Sequence, residues 1–151
     1  MGCCSGSRRG RSISRLRLPE KAMKYFTPNE LRCHHCDESR LHPGFGEALD
    51  TLREAFGEPM AVTSACRCLE HNTDIKGHEL SLHIADKPAH ADKGQQGALA
   101  IDIATPDGAY RGRLFSAAWR LGWSIGWNAK KGFLHLDRRS VIGLSQTTFD
   151  Y

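Results

Sequence analysis

A chain of 151 residues, 40% hydrophobic and 25% charged, has the length of one domain and enough apolar content to bury a core. No apolar run approaches the ~20 residues of a membrane-spanning helix, and twelve aromatic residues spread along the chain argue against wholesale disorder. The net charge of +4 is concentrated at the front, so the remainder is close to neutral and the charge does not point to nucleic acid as a partner of the folded part.

The front segment, 1–22, is rich in Arg, Gly and Ser and holds no apolar stretch long enough for a secretory signal. Its Met-Gly start lacks the Ser or Thr that N-myristoylation wants at position 6, where Gly6 stands. It reads as a basic disordered tail ahead of a domain at 23–151, or as upstream sequence with Met23 as the true start. Binding of nucleic acid or an anionic surface by the tail is the minor alternative. With no signal visible, synthesis in the cytoplasm is expected. Cys3, Cys4, Cys33, Cys36, Cys66 and Cys68 come in close pairs, with none after residue 68. A disulfide framework would spread them through the domain, so reduced thiols are expected.

Thr27, Pro28 and Glu30 form a helix start, with Thr at N-cap, Pro at N1 and Glu at N3. The stretch "RCHHCDESRLHPG" is polar and reads as loop. Residues 43–56 carry one apolar stripe, Phe45, Leu49, Leu52 and Phe56, and predict a core helix ended by Gly57 and Pro59. "MAVTSA" (60–65) reads as a strand. "CRCLEHNTDIKG" reads as a turn or short helix, and 77–97 as a long loop of the kind that is functional or mobile. "ALAIDIAT" (98–105) predicts a second strand, and 109–121 a second helix closed by Gly122. "WSIGW" and "GFLHLD" predict two short strands joined by "NAKK". The tail "SQTTFDY" reads as loosely packed. Helices around short strands without βαβ alternation predict an α+β fold with a small antiparallel sheet and flanking helices.

Two polar residues interrupt apolar strands: Asp102 in "ALAIDIAT" and His135 in "GFLHLD". Each alone reads as a satisfied core group. Together, with a loop histidine, they form the set of two imidazoles and a carboxylate that leaves one zinc position open, as in catalytic sites. His78, His83 and His90 are all available from the loop, and spacing does not choose among them. Cys33-x2-Cys36 with Cys66-x-Cys68 falls short of a four-thiolate zinc signature and reads as thiols. Trp119, Trp123 and Trp127 read as core and cleft-wall residues.

The run "VTSACRCLEHN … SLH … GALAIDIA … FLHLDRR" resembles the zinc D-alanyl-D-alanine carboxypeptidase family. That family includes phage endolysins cutting L-alanyl-D-glutamate bonds, and it shares the hedgehog-like DD-peptidase fold. Ser64 and Arg67 match its S-x-x-R, His71-Asn72 its "HN", Ser81 and His83 its S-x-H, and His135 with Asp137 its last element, while Asp102 stands in its G-x-A-x-D element with the spacing from Gly97 one residue longer than usual. The opening "KYFTPNELRCHHC" is also similar, and the resemblance spans roughly 23–140. It implies zinc held by His83, Asp102 and His135, with His90 the fallback for His83. It departs from the family in two further places. His83 and Asp102 lie nineteen residues apart, farther than is usual, so "ADKPAHADKGQQ" reads as inserted. Gly132 stands where related enzymes carry an acid three residues before the last histidine.

The resemblance further implies metal-assisted hydrolysis of a peptidoglycan stem peptide by a monomer, phage or prophage encoded, acting at the cell wall after release. Arg67 would bind a substrate carboxylate or oxyanion, with Ser64 supporting that edge. Asp137 is expected to be the general base or the partner that orients His135, with Asp86 and Asp92 as other candidate bases. The alternatives are a non-catalytic zinc module of the same fold and, more weakly, a nucleic-acid binder using the tail and "CHHC".

Overall fold

The computed structural model describes residues 21–151, so the readings made for the front segment, with Cys3 and Cys4, lie outside the described residues. The elements are α1 (Pro28–Leu31), α2 (Phe45–Phe56), β1 (Val62–Ser64), α3 (Leu69–Asp74), β2 (Ala100–Ala104), α4 (Gly108–Arg120), β3 (Ser124–Trp127), β4 (Phe133–Asp137) and β5 (Thr148–Asp150). The fold is α+β, and the predicted helices and strands all form.

Local chemistry sets the helix ends. Thr27 and Glu30 make a reciprocal capping box at α1. Asp107 caps α4 by accepting from the Tyr110 N–H at 2.7 Å. Gly57, in the left-handed region at φ 78°, closes α2 with its N–H on the Arg53 carbonyl.

The five strands run in the order β1-β2-β4-β3-β5. All pairs are antiparallel except β3–β5, which is parallel. This last strand corrects the reading of the tail as loosely packed. "TTFDY" alternates polar and aromatic residues, and that period of two is a strand signal. The expected hairpin of β3 and β4 is present.

Alternation divides the sheet into two faces. Ile101, Ile103, Ile125, Leu134 and Leu136 are fully buried and share one core with Phe45, Leu49 and Leu52 of α2 and Leu114 and Ala118 of α4. Burying each large apolar side chain contributes about 1.5–3 kcal/mol. Trp123 joins this core against Phe45, with ring centroids 5.6 Å apart. Trp119 and Trp127 are exposed, which corrects the expectation that all three tryptophans build core and cleft.

On the other face, cross-strand register aligns one transverse row. Ser64 pairs with Asp102, Asp102 with His135, His135 with Gly126, and Gly126 with Phe149. Residues directly opposite share a face and approach closely. Gly126 is required in this row: a Cβ there would stand 2.7 Å from the Phe149 ring.

Candidate metal centre

Asp102 and His135 meet because they are direct partners on β2 and β4. His83 reaches them from the long loop by a different device. Its segment runs beside Arg67, with Arg67 N–H on the His83 carbonyl at 2.9 Å and Ala85 N–H on the Arg67 carbonyl at 2.8 Å. Buried Gln95 straps the same segment, its amide facing the carbonyls of Leu82, Ile84 and Gly97 at 2.9–3.4 Å. The long loop is therefore built structure around a fully buried His83.

Three atoms face one another: His83 Nε2, His135 Nδ1 and Asp102 Oδ1. Their separations are 3.2, 3.2 and 3.1 Å. A tetrahedral zinc ion with bonds of about 2.0–2.1 Å spaces its ligand atoms about 3.3 Å apart, so the triangle has the right size.

The outward partners of the rings also fit. His83 Nδ1 lies 2.7 Å from the Ala65 carbonyl, and that nitrogen must therefore carry the proton. His135 Nε2 lies 2.9 Å from Asp137 Oδ2 and donates to it. These contacts assign the tautomers and leave a lone pair on each inner nitrogen. Three acceptors converging in a buried site repel one another unless a cation lies between them, and this is the test that the residues pass as a zinc site.

The three groups also shift one another's titration, and the raised His135 means that a bound cation competes with a proton at this site. Burial pushes the Asp102 carboxyl up, but His83 and His135 outweigh it and hold the group well below the usual carboxylate range. Burial lowers His83 against the pull of Asp102. Burial also opposes charge on His135, yet the hydrogen bonds to Asp102 and Asp137 win and raise it.

Arg67 is buried beside the triangle. Its NH2 donates to Asp102 Oδ2 at 3.1 Å and its Nε to Ser64 Oγ at 3.0 Å, so one guanidinium ties β1 to the carboxylate. Asn72 Oδ1 accepts from it at 3.5 Å. Asp137 is fully buried and receives a forked pair of bonds from Arg139 at 2.9 and 2.7 Å.

Two cavities flank the triangle. One of about 440 Å³ is lined by His78, His90, His135 and Asp137, and one of about 490 Å³ by Arg67, His78, Ser81, Asp102 and Tyr151. Tyr151 stacks on the His135 ring at 4.5 Å, and Phe149 meets that ring edge-on at 5.6 Å. Sequence reasoning missed this aromatic wall, whose only signal was the alternation in "TTFDY".

His90 lines a cavity but stands outside the triangle. Asp86 accepts from the Leu69 N–H at 2.8 Å and faces the cysteine-lined side of the molecule. Asp92 is exposed beside Lys93. Cys33, Cys36 and Cys68 bring their sulfurs within 4.8 Å of one another. Cys66 lies apart, exchanging hydrogen bonds with the Arg40 backbone, and burial pushes its thiol up to about 11.

A family model described as peptidase M15 matches residues 24–137, which include every side chain of the triangle. The chain belongs to the peptidase M15 family. None of the curated proteins matches it significantly. Peptidase M15 proteins are zinc peptidases, so the match supports a metallopeptidase domain and implies a peptidoglycan peptide as its substrate class. Among the described residues no helix is long and apolar enough to cross a membrane.

Proposed function

We propose that this M15 domain hydrolyses peptide bonds in peptidoglycan stem peptides, with zinc held by His83, Asp102 and His135. The observation that carries the reading is the convergence of three lone-pair donors, 3.1–3.2 Å apart, between two open cavities. Three protein ligands leave an open coordination position, the mark of catalytic rather than structural zinc. When bound, zinc supplies the Lewis acidity that polarises a scissile carbonyl and acidifies water.

The chain's own groups do the rest. Arg67 lines one cavity and presents its remaining N–H groups to a substrate carboxylate or to charge developing on the carbonyl oxygen. Ser64 and Asn72 hold the guanidinium flat for that task. His78 lines both cavities, and its Nδ1 accepts from the Leu80 N–H at 3.1 Å, which leaves its Nε2 to carry the proton and serve as a second donor at the cavity wall. Asp137, committed to His135 Nε2 and to Arg139, acts by orienting His135 rather than as the base. Tyr151 and Phe149 wall the centre from bulk water.

The resemblance in sequence supports the finer reading. The bond is the D-Ala–D-Ala or L-Ala–D-Glu linkage, and the enzyme is a phage- or prophage-encoded monomer, made in the cytoplasm and acting at the wall after release. Purified cell walls incubated with the zinc-loaded chain should release new amino groups, and a chelator should stop the release. Mass spectrometry of the products then identifies the linkage. Equal cleavage by the parent and by His135→Ala overturns the assignment.

One observation favours a second reading, a non-catalytic zinc module that binds wall peptide. Gly132 leaves the usual acid out, and the carboxylates lining the cavities are Asp102, Asp137 and Asp150. The first two are engaged, and Asp150 stands on β5 at the edge of both cavities, one residue from the Phe149 ring. One equivalent of zinc at this centre with no cleavage of any wall type would decide for the module.

A further inference from the structure

We infer that Cys33, Cys36, Cys68 and His71 form a second zinc site, closed and structural, that holds Arg67 in place. The three sulfurs lie within 4.8 Å of one another. His71 Nδ1 lies 3.5 Å from Cys33 Sγ but outside the mutually close group that the three sulfurs make, so its ring would turn inward to complete the site. With Zn–S of about 2.3 Å and Zn–N of about 2.0–2.1 Å, a tetrahedral ion separates sulfur from nitrogen by about 3.5 Å.

The spacing is Cys33-x2-Cys36 and Cys68-x2-His71, two short turns of the kind structural zinc sites use. Each turn has the backbone for it. In the first, the Asp37 N–H closes on the Cys33 carbonyl at 2.9 Å, and the chain leaves the turn through Asp37 at φ 60°. In the second, Cys68 is the N-cap of α3 and His71 follows within the first turn of the helix. The His71 N–H points at Cys68 Sγ at 3.3 Å, and the Cys68 N–H at Cys33 Sγ at 3.3 Å. Backbone N–H groups aimed at sulfur favour the thiolate, the form that binds metal.

His35 is the competing fourth ligand, since its Nδ1 lies 3.5 Å from Cys68 Sγ. It is exposed, whereas His71 is half-buried and fixed by α3. Four ligands leave no open position, so this ion would do no chemistry. It would clamp the 33–37 turn to the start of α3, next to Arg67. The site is independent of the hydrolytic reading.

The test is a Co²⁺ titration of the full chain, with Cys3→Ser and Cys4→Ser removing the front thiols. Two equivalents should bind, one of them giving an intense thiolate-to-cobalt charge-transfer band. The His83→Ala/His135→Ala variant should keep one equivalent and the whole band, which separates failure here from failure of the hydrolytic centre. Cys36→Ser should lose most of the band, and His71→Ala should shift the visible cobalt bands. Absence of the band in the parent overturns the site, as does protection of these cysteines from alkylation by disulfides that reductant opens. A shift with His35→Ala but not with His71→Ala overturns the fourth ligand.

Discussion

The His83–Asp102–His135 cluster stands on paired strands and a strapped loop, and the Cys33–Cys36–Cys68 cluster stands on two tight turns. The first gathers ligands across 52 residues of sequence and opens on two cavities. The second gathers its ligands in two local pairs, with Cys33 and Cys68 buried and Cys36 and His71 half-buried. Strand register can deliver only one side chain per strand to a given point, so it suits a centre with few protein ligands and room for a substrate. A turn of four residues delivers two ligands at once and fills the coordination sphere. The difference teaches that the number of ligands each backbone can supply goes with what each centre does.

The largest expected effect breaks the comparison at its open end. His83→Ala or His135→Ala should abolish hydrolysis and remove one equivalent of zinc, read by metal analysis, while the thiolate site stays loaded. Arg67→Ala should lower kcat/KM by about 10²–10³-fold with zinc retained, if its guanidinium meets charge in the transition state. An equal loss of bound zinc would instead make it a positioning group for Asp102.

Asp137→Asn should weaken zinc binding by about 10–100-fold, measured by competition with a chelating dye. The same carboxyl predicts a pH effect. Burial pushes it up, yet Arg139 and His135 outweigh burial and hold it below its ordinary value. Its contribution to stability is therefore complete above the unfolded value of about 3.9 and is lost as the pH falls through the lower folded value. Acid unfolding of the parent should be steeper in that window than that of Asp137→Asn.

A chelator titration sharpens the contrast between open and closed sites. Hydrolysis should disappear at lower chelator concentration than that at which the melting temperature falls. The smallest effect is expected at His90: His90→Ala should leave zinc stoichiometry unchanged, and a lost equivalent would make His90 a ligand in place of His83.

Much of this was legible in the chain. Asp102 and His135 were visible because a polar residue inside an apolar strand needs a partner. The helices were legible from the stripe Phe45, Leu49, Leu52, Phe56 and from the caps Thr27 and Gly57. His83 was not separable from His78 and His90 by spacing, because what selects it is the pairing of its segment with Arg67 and the strap of Gln95. That Cys68 turns toward Cys33 and Cys36 while Cys66 faces the Arg40 backbone was not legible from Cys-x-Cys, because the turn into α3 decides it. Tyr151 and Phe149 were missed because their partner, Gly126, lies far away in sequence.

The amino-acid sequence by itself determined the elements and the chemical types available: short strands of fixed alternation, amphipathic helices, imidazoles and carboxylates in apolar surroundings. Those follow from local sterics and from the cost of burying a polar group, which act within a few residues. Tertiary structure alone decided which of these groups meet. Register placed Ser64, Asp102, His135, Gly126 and Phe149 in one row, and loop pairing chose His83. Such choices depend on contacts between distant segments, whose geometry no local pattern encodes.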